Sequence, residues 1–377
     1  MYGRRNGGTV VLGGGRASAR RWPALRRLPV PPPSYLRPCL DLPLDPLPLA
    51  IELMEHDSTT GHEAGVVDHV ADRLMAEGWT VERIPVSPGR DVIHATASPS
   101  PTVTLSTHLD TVPPYLPPRL DGDRLSGRGA CDAKGIAASM WCAATRLREA
   151  AFPVALLFVV GEETTHDGAH AANLVPNASR VLINGEPTES TLALGTKGAL
   201  RLVLRCEGRA AHSAYPELGH SATSDLVRLL AELDSLKLPS DPLLGDTTVN
   251  IGQLAGGVAD NVVAPWAEAR LMIRLVSPAE EVLAMVREWV GDRATVEEGN
   301  SVPPVRLQAL SGFPTSVAAY ATDIPVLANW GTPYLFGPGS INVAHTMNEY
   351  VRVAELRSAV DAYERLAVAA LDRETGR

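Results

Sequence analysis

The sequence predicts an α/β protein in which a mixed, largely parallel sheet is flanked by helices, with an α+β domain inserted into it. Apolar strand patterns alternate with helical patterns as far as residue 196, which is typical of a sheet covered on both faces. Polar clusters directly follow several of these strands, where open α/β sheets place their sites. Near residue 198 the pattern changes to alternating strands.

The first region combines helical stripes with short apolar strands. Val66, Val70 and Leu74 recur at helical spacing, and Gly78 closes that helix. Residues 154–160 are apolar without interruption, which predicts a fully buried strand. We expect helices at 49–56, 62–77 and 134–149, and strands at 80–86, 102–107, 154–160 and 180–184.

Residues 197–306 are expected to form the inserted domain. Its strands alternate apolar and polar residues, which predicts one open sheet face and an exposed edge. The main domain is then assigned to 48–196 and 307–377, and it ends with a helix at 353–371. Within the insert we expect strands at 199–206, 247–253 and 268–275, and helices at 220–234 and 278–290.

Composition excludes several classes of protein. Hydrophobic residues make up 45% of the 377 residues and charged residues 20%, which is typical of a globular chain. No apolar run approaches the roughly 18 residues of a membrane-spanning helix, so we expect no membrane partner. Four distant cysteines without a CxxC pair argue against a disulfide scaffold and fit a reducing compartment. We therefore predict a cytoplasmic protein.

Charge is unevenly distributed along the chain. The formal net charge is −9, yet residues 1–38 hold eight arginines and no acid, so the remaining chain carries −17. This acidic body makes nucleic acid an improbable partner. The basic head has the charge of a nucleic-acid or targeting arm, but it lacks the apolar segment of a secretory signal. We expect a disordered extension and proline-rich linker over 1–47, or a start codon assigned too early.

Isolated polar residues in five segments are candidates for chemistry. His108 and Asp110 point the same way if they lie on a strand, where a carboxylate can orient a metal-binding imidazole. Taken alone, the pair is typical of a surface or capping pair. Asp132 precedes a predicted helix, where an N-cap is the ordinary explanation.

Two further strands are followed by acids, and a second imidazole lies near the far end of the chain. Glu162 and Glu163 follow strand 154–160, Glu186 follows strand 180–184, and His345 lies in a later loop. Each is weak evidence by itself. Together the five segments offer two imidazoles, three ligating carboxylates and one free glutamate as a base, which is the ligand set of a two-zinc site with a bridging Asp.

Seven motifs in this order resemble the co-catalytic zinc aminoacylase/carboxypeptidase family. The family includes acetylornithine deacetylase, succinyl-diaminopimelate desuccinylase, glutamate carboxypeptidase and dipeptidases, and the resemblance covers about residues 48–372. The motifs are STHLDTVP, SGRGACDAKG, VVGEET, INGEPT, GRAAHSAYPELGHSA, NVVAPWAEARLMIRL and AHTMNEYV.

The resemblance implies a zinc-hydrolase catalytic domain that binds two Zn²⁺ ions per subunit, with Co²⁺ or Mn²⁺ as substitutes. It implies a cis peptide bond after the bridging Asp132. It also implies that one ion is held by His108, Asp132 and Glu186, and the other by Asp132, Glu163 and His345.

The resemblance further implies roles in catalysis. Glu162 becomes the general base, and Asp110 orients His108. The insert becomes a ferredoxin-like dimerisation or lid domain, so we expect a homodimer. His212 is then donated across the dimer to the reacting carbonyl oxygen, although it could instead satisfy a turn.

Substrate binding is the least specific part of the resemblance. Arg274 is a candidate for the substrate carboxylate, because a guanidinium fork fits a carboxylate. Asn261, Gly339 and Ser340 are weaker candidates, since glycine loops often only turn the chain.

Within the resemblance, Glu186 is typical of acylases and carboxypeptidases, and an Asp at this position is typical of aminopeptidases. Glu186 therefore favours removal of an acyl group from an amino acid. The expected function is therefore deacylation of an N-acyl amino acid, of the acetylornithine or acetyl-lysine type. A metallocarboxypeptidase or dipeptidase, acting on a short peptide, is the alternative. A non-catalytic relative that binds small molecules is less favoured, because all five ligand positions and the base are present.

Overall fold

The computed structural model describes residues 45–376. Within this range, no helix combines the length and apolar character that crossing a membrane requires. The α-helices are α1 (Pro46–Met54), α2 (Ala64–Ala76), α3 (Lys134–Glu149), α4 (Asp167–Asn173), α5 (Ala222–Ala231), α6 (Ala279–Val290) and α7 (Val353–Thr375).

The strands form one large mixed sheet, one four-stranded sheet and three small ones. In chain order they are β1 (Thr80–Ser87), β2 (Arg90–Thr96), β3 (Val103–His108), β4 (Arg119–Asp121), β5 (Arg124–Ser126), β6 (Val154–Val159), β7 (Val181–Asn184), β8 (Leu192–Thr196), β9 (Gly198–Glu207), β10 (Ser240–Asp241), β11 (Gly245–Asp246), β12 (Thr248–Gly256), β13 (Trp266–Leu275), β14 (Thr295–Val302), β15 (Val305–Arg306), β16 (Thr315–Ala318), β17 (Thr332–Leu335) and β18 (Tyr350–Arg352).

The main sheet has the order β1-β2-β6-β3-β7-β17 and confirms the predicted mixed, largely parallel architecture. Strands β6, β3, β7 and β17 are parallel, whereas β1 and β2 pair antiparallel at one edge. Every residue of β3, β6 and β7 is buried, because helices cover both faces. Leu156 and Phe158 pack towards the cluster that includes α3 and α7, and Leu157 and Val159 pack towards the cluster that includes α4.

The second sheet, β12-β13-β9-β14, is antiparallel and has its own hydrophobic core. Its inner face, which includes Leu202, Leu204 and Leu271, packs with apolar residues of α5 and α6. Its other face is open, as predicted from the alternation. We call this unit the insert sheet. The predicted limits 197–306 enclose it and remain a proposal.

Some predicted boundaries differ from the structure. Helix α1 begins at Pro46 instead of 49, because Asp45 caps it by accepting a hydrogen bond from the Leu47 N–H. The predicted linker therefore does not extend to residue 47, and the rest of the basic head lies outside the described residues. Strand β14 was missed, because most of its residues are exposed and it lacks an apolar alternation.

Candidate metal centre and active site

The predicted ligands meet at one edge of the main sheet. His108 is the last residue of β3, Glu162 and Glu163 follow β6, and Glu186 follows β7. These three strands are adjacent and parallel, so their carboxyl ends lie at the same edge. The register of the sheet thus collects an imidazole and three carboxylates from distant parts of the chain.

Asp132 lies between the two predicted histidine ligands. Its Oδ1 is 3.0 Å from His108 Nε2, and its Oδ2 is 3.2 Å from His345 Nε2. The carboxylate is buried, and the following peptide bond to Ala133 is cis, as the family resemblance implied. One carboxylate oxygen therefore faces each imidazole, which is the arrangement that a bridging ligand needs.

Two glutamates complete the cluster. Glu163 Oε2 lies 3.0 Å from His345 Nε2, and the candidate ligand atoms of His108, Asp132 and Glu163 all lie within 4.8 Å of one another. Glu186 lines the same cavity and is buried. Its Oε1 has no hydrogen-bond partner in the described part of the chain. A buried carboxylate oxygen of this kind is costly unless a cation or donor satisfies it.

Electrostatics indicate that the cluster attracts positive charge. Hydrogen bonds to Asp132 and Glu163 raise the pKa of His345 to about 10. Burial opposes the charged form of His108, but the carboxylates of Asp110 and Asp132 beside the imidazole still raise its pKa well above the usual range. Burial raises the pKa of the Glu186 carboxyl well above its usual value. Imidazole nitrogen and carboxylate oxygen are the ligands that zinc takes, so the residues fit a metal centre.

Asp110 connects His108 to the glutamate pair. Its backbone oxygen is 2.9 Å from His108 Nδ1, whereas its carboxylate oxygen is 3.6 Å from the same atom. The carboxylate accepts hydrogen bonds from the backbone N–H groups of Glu162 and Glu163, at 3.1 and 3.2 Å, and from Thr60 Oγ1. Asp110 therefore contacts the predicted ligand His108 and also fixes the loop that carries the predicted base.

Glu162 also lines the cavity. Within residues 45–376 its carboxylate accepts no hydrogen bond, and the same is true of the Glu186 carboxylate. Sequence reasoning missed its neighbours, His166 and Asp323. His166 Nδ1 lies 2.8 Å from Asp323 Oδ1 and 3.9 Å from Glu162 Oε1. His166 could have been found from the sequence, because it lies three residues after the glutamate pair. Asp323 could not, because no motif surrounds it.

Glu349 is a second residue that the sequence analysis missed, although it lies in the quoted motif AHTMNEYV. Its Oε1 accepts hydrogen bonds from the backbone N–H groups of Gly129, Cys131 and Asp132, at 2.9, 3.3 and 3.3 Å. Its Oε2 accepts one from Arg128 Nη1 at 2.5 Å. Glu349 and Arg128 are both buried. This pair holds the loop that presents the central carboxylate.

The predicted substrate-binding residues do not all reach the cavity. Arg274 lines it, together with the cluster residues. Gly339 and Ser340 lie beside it: Gly339 has φ +83° and leaves no room for a Cβ against Cys131, and Ser340 Oγ donates to Glu189 Oε1 at 2.6 Å. Neither is among the residues that line the cavity.

Asn261 and His212 lie together on the insert, away from the cavity lining. The Ser213 N–H donates to the backbone oxygen of Asn261 at 2.9 Å, and His212 Nδ1 accepts from the Ala214 N–H at 3.1 Å. Asn261 and His212 are both exposed. A role for His212 across a dimer therefore stays a prediction.

Comparison with known proteins gives the family. Residues 104–369 match Peptidase family M20/M25/M40. The chain belongs to this family. It is 39% identical over 368 residues to a "Probable carboxypeptidase" of Aspergillus terreus, and the alignment covers 85% of each chain. It is 37% identical over 329 residues to a peptidase M20 domain-containing protein of Schizosaccharomyces pombe, which covers 84% of this chain and 82% of the relative.

Solved structures share the M20 peptidase fold. A tripeptidase from Staphylococcus aureus superposes with a TM-score of 0.72 at 21% identity, covering 86% of this chain and 98% of its own. An M20 family metallo-carboxypeptidase from Sulfolobus solfataricus gives a TM-score of 0.71 at 16% identity, with the same coverage of 86% and 98%. These likenesses agree with the two-sheet architecture described above.

We predict that Glu349→Gln loosens the Asp132 loop. The amide cannot neutralise the buried guanidinium of Arg128, so the free energy of unfolding should fall by about 3 kcal/mol. Residues that support metal ligands typically affect metal affinity by about 10-fold or more. Urea unfolding and metal retention on dialysis measure both effects. Glu364→Gln, which removes a surface pair with Arg146, is the matched control and should cost under about 1 kcal/mol. Equal stability and equal metal retention in the two variants would contradict this role.

Proposed function

We propose that this M20 protein is a two-zinc peptidase that cleaves the amide bond next to a free C-terminal carboxylate, as a carboxypeptidase or dipeptidase does. The convergence of both imidazoles on Asp132, with Glu162 left unbonded at the cavity, is the observation that carries the proposal. Relatives named "Probable carboxypeptidase" favour a peptide substrate.

In this proposal five residues hold the metals. Asp132 is shared, and Co²⁺ or Mn²⁺ could replace zinc at such nitrogen and oxygen ligands. When bound, the ions supply positive charge that polarises the substrate carbonyl and acidifies water. His108, Asp132 and Glu186 form one ligand set, and Asp132, Glu163 and His345 form the other.

Glu162 is the proposed general base. Its carboxylate takes a proton from the attacking water as the water oxygen bonds to the carbonyl carbon. When the carbon–nitrogen bond breaks, Glu162 returns the proton to the leaving amine. Burial raises the pKa of the Glu162 carboxyl well above its usual value, which suits a group that must both accept and donate. Asp110 keeps the Glu162 backbone in place.

Arg274 is the proposed anchor for the substrate carboxylate. It extends from β13 into the cavity that the cluster lines. Burial and the nearby charge of Arg201 lower its pKa, so an anion at this position is favourable. A guanidinium binds a carboxylate through two parallel hydrogen bonds, which would orient the neighbouring amide towards Glu162.

The deacylase remains the second candidate, since an N-acyl amino acid presents the same amide beside the same carboxylate. Within the family resemblance, Glu186 is typical of acylases and of carboxypeptidases, so it fits either candidate. We also propose a homodimer through the insert, where β12 is an exposed edge strand of its sheet within the described part of the chain. The described cysteines Cys131, Cys142 and Cys206 are free and buried, which supports the cytoplasm as the proposed location.

The substrate class can be decided with three compounds. An N-blocked dipeptide with a free carboxylate should be hydrolysed, whereas the same dipeptide with a C-terminal amide should react at least about 10-fold more slowly, because it loses a charged hydrogen bond. N-acetylornithine is the third compound. Faster turnover of N-acetylornithine than of any dipeptide would favour the deacylase instead. Equal rates on the free and amidated dipeptides would remove the carboxypeptidase proposal.

Glu162→Gln should keep both metals and lose at least about 1,000-fold in kcat, because the amide cannot carry a proton. Metal analysis of the purified variant and a rate assay measure the two quantities. Normal turnover would exclude Glu162 as the base. Loss of metal together with activity would instead indicate a ligand role.

His212→Ala should lose activity that a second inactive variant can restore. A mixed dimer contains one His212→Ala subunit and one Glu162→Gln subunit. The site of the His212→Ala subunit then has its own intact Glu162 and the intact His212 of the other subunit. Random exchange should then recover about a quarter of wild-type activity. Absence of any recovery, in mixtures shown by mass spectrometry to contain mixed dimers, counts against a shared site.

A further inference from the structure

One wall of the cavity is the open face of the insert sheet. Arg274 lies opposite Ala199 in the pairing of β13 with β9, and Met272 lies opposite Arg201. These four residues therefore point to the same side of the sheet, and all four line the cavity. Glu162 and His345, which come from loops of the main domain, line the same cavity. A substrate in the cavity would thus lie between the metal cluster and this face.

The two arginines of the wall lack carboxylate partners. In the described range, neither Arg201 nor Arg274 forms an ion pair. Arginines farther along the same face are paired: Arg205 lies 3.1 Å from Glu297, and Arg270 lies 3.3 Å from Glu268. Unpaired positive charge on this face is therefore concentrated at the cavity.

The two guanidinium groups belong to diagonal neighbours on adjacent strands, which are close enough for long side chains to interact. Burial and the Arg201 charge both disfavour the charged form of Arg274 and so lower its pKa, while the charge of Glu162 acts in the opposite direction. Two like charges on neighbouring side chains are destabilising unless anions lie beside them. A single substrate carboxylate neutralises only one of them.

We propose that Arg201 binds a second carboxylate of the substrate, so that the enzyme prefers peptides ending in glutamate or aspartate. This inference rests on the proposed function, in which Arg274 holds the α-carboxylate. Ala199, Met272 and Val302 provide an apolar surface for the side-chain methylenes, and Asn300 adds an amide near Arg201. A neutral or basic C-terminal side chain would leave the Arg201 charge without a partner.

The test compares two N-acetylated dipeptides that end in glutamate or in glutamine and otherwise match. The wild-type kcat/KM should be roughly 10- to 100-fold higher for the glutamate peptide, the range expected for one charge-assisted hydrogen bond. In Arg201→Gln the ratio should fall to within about 3-fold, with the glutamine peptide unaffected. Arg205→Gln is the control, because Arg205 lies on the same strand and face but outside the cavity lining.

Two outcomes would overturn the inference. If Arg201→Gln lowers kcat/KM equally for both peptides, Arg201 binds the α-carboxylate. If the wild type has the same kcat/KM for both peptides, Arg201 binds no second carboxylate.

Binding separates this inference from the proposed function. Calorimetry on the Glu162→Gln variant with N-acetylglutamate and N-acetylglutamine should show the same preference, lost on adding Arg201→Gln. If the wild type cleaves neither peptide while this binding preference persists, the proposed peptidase activity is wrong, but the proposal that Arg201 binds a second carboxylate is supported. If both peptides are cleaved equally and both ligands bind equally, the peptidase activity is supported, and the proposal that Arg201 binds a second carboxylate is wrong.

Discussion

The structure depends on one shared carboxylate. Asp132 faces His108 with one oxygen and His345 with the other, and it does so in a buried position among further acids. The loop that carries Asp132 is fixed by Glu349, which accepts hydrogen bonds from backbone N–H groups of this loop. The charge of Glu349 is neutralised by an ion pair with Arg128. Without compensating positive charge, gathering these acids would destabilise the fold. The same concentration of negative charge is what makes the site able to hold cations.

The two sheets contribute different parts of the site. The parallel sheet positions the candidate metal ligands, because its strand ends place His108, Glu163 and Glu186 at one edge. The insert sheet contributes Arg201 and Arg274 to the cavity lining. In the proposed function, chemistry on the amide bond is thus separated from recognition of the substrate carboxylates. Such a separation would let one ligand set serve different substrates, with the insert sheet selecting the substrate that binds in the cavity.

Much of the fold and the metal cluster could be predicted from the sequence, because both follow local patterns. Uninterrupted apolar strands mark β6, and the acids that follow the strands mark the site. Helix 134–149 agrees with α3 at both ends. Strand β14 could not be predicted, because it is held by pairing with β9 and not by burial. Asp323 and Arg201 were missed because their significance depends on partners distant in the chain, and no alternation or spacing encodes those contacts.

We propose that Asp132 bridges two cations, which anomalous diffraction from crystals grown with zinc can show. We expect two peaks about 3.5–4 Å apart, one beside each oxygen of Asp132. The first should contact His108 and the second His345. A single peak, or peaks that leave Asp132 without a contact, would contradict it.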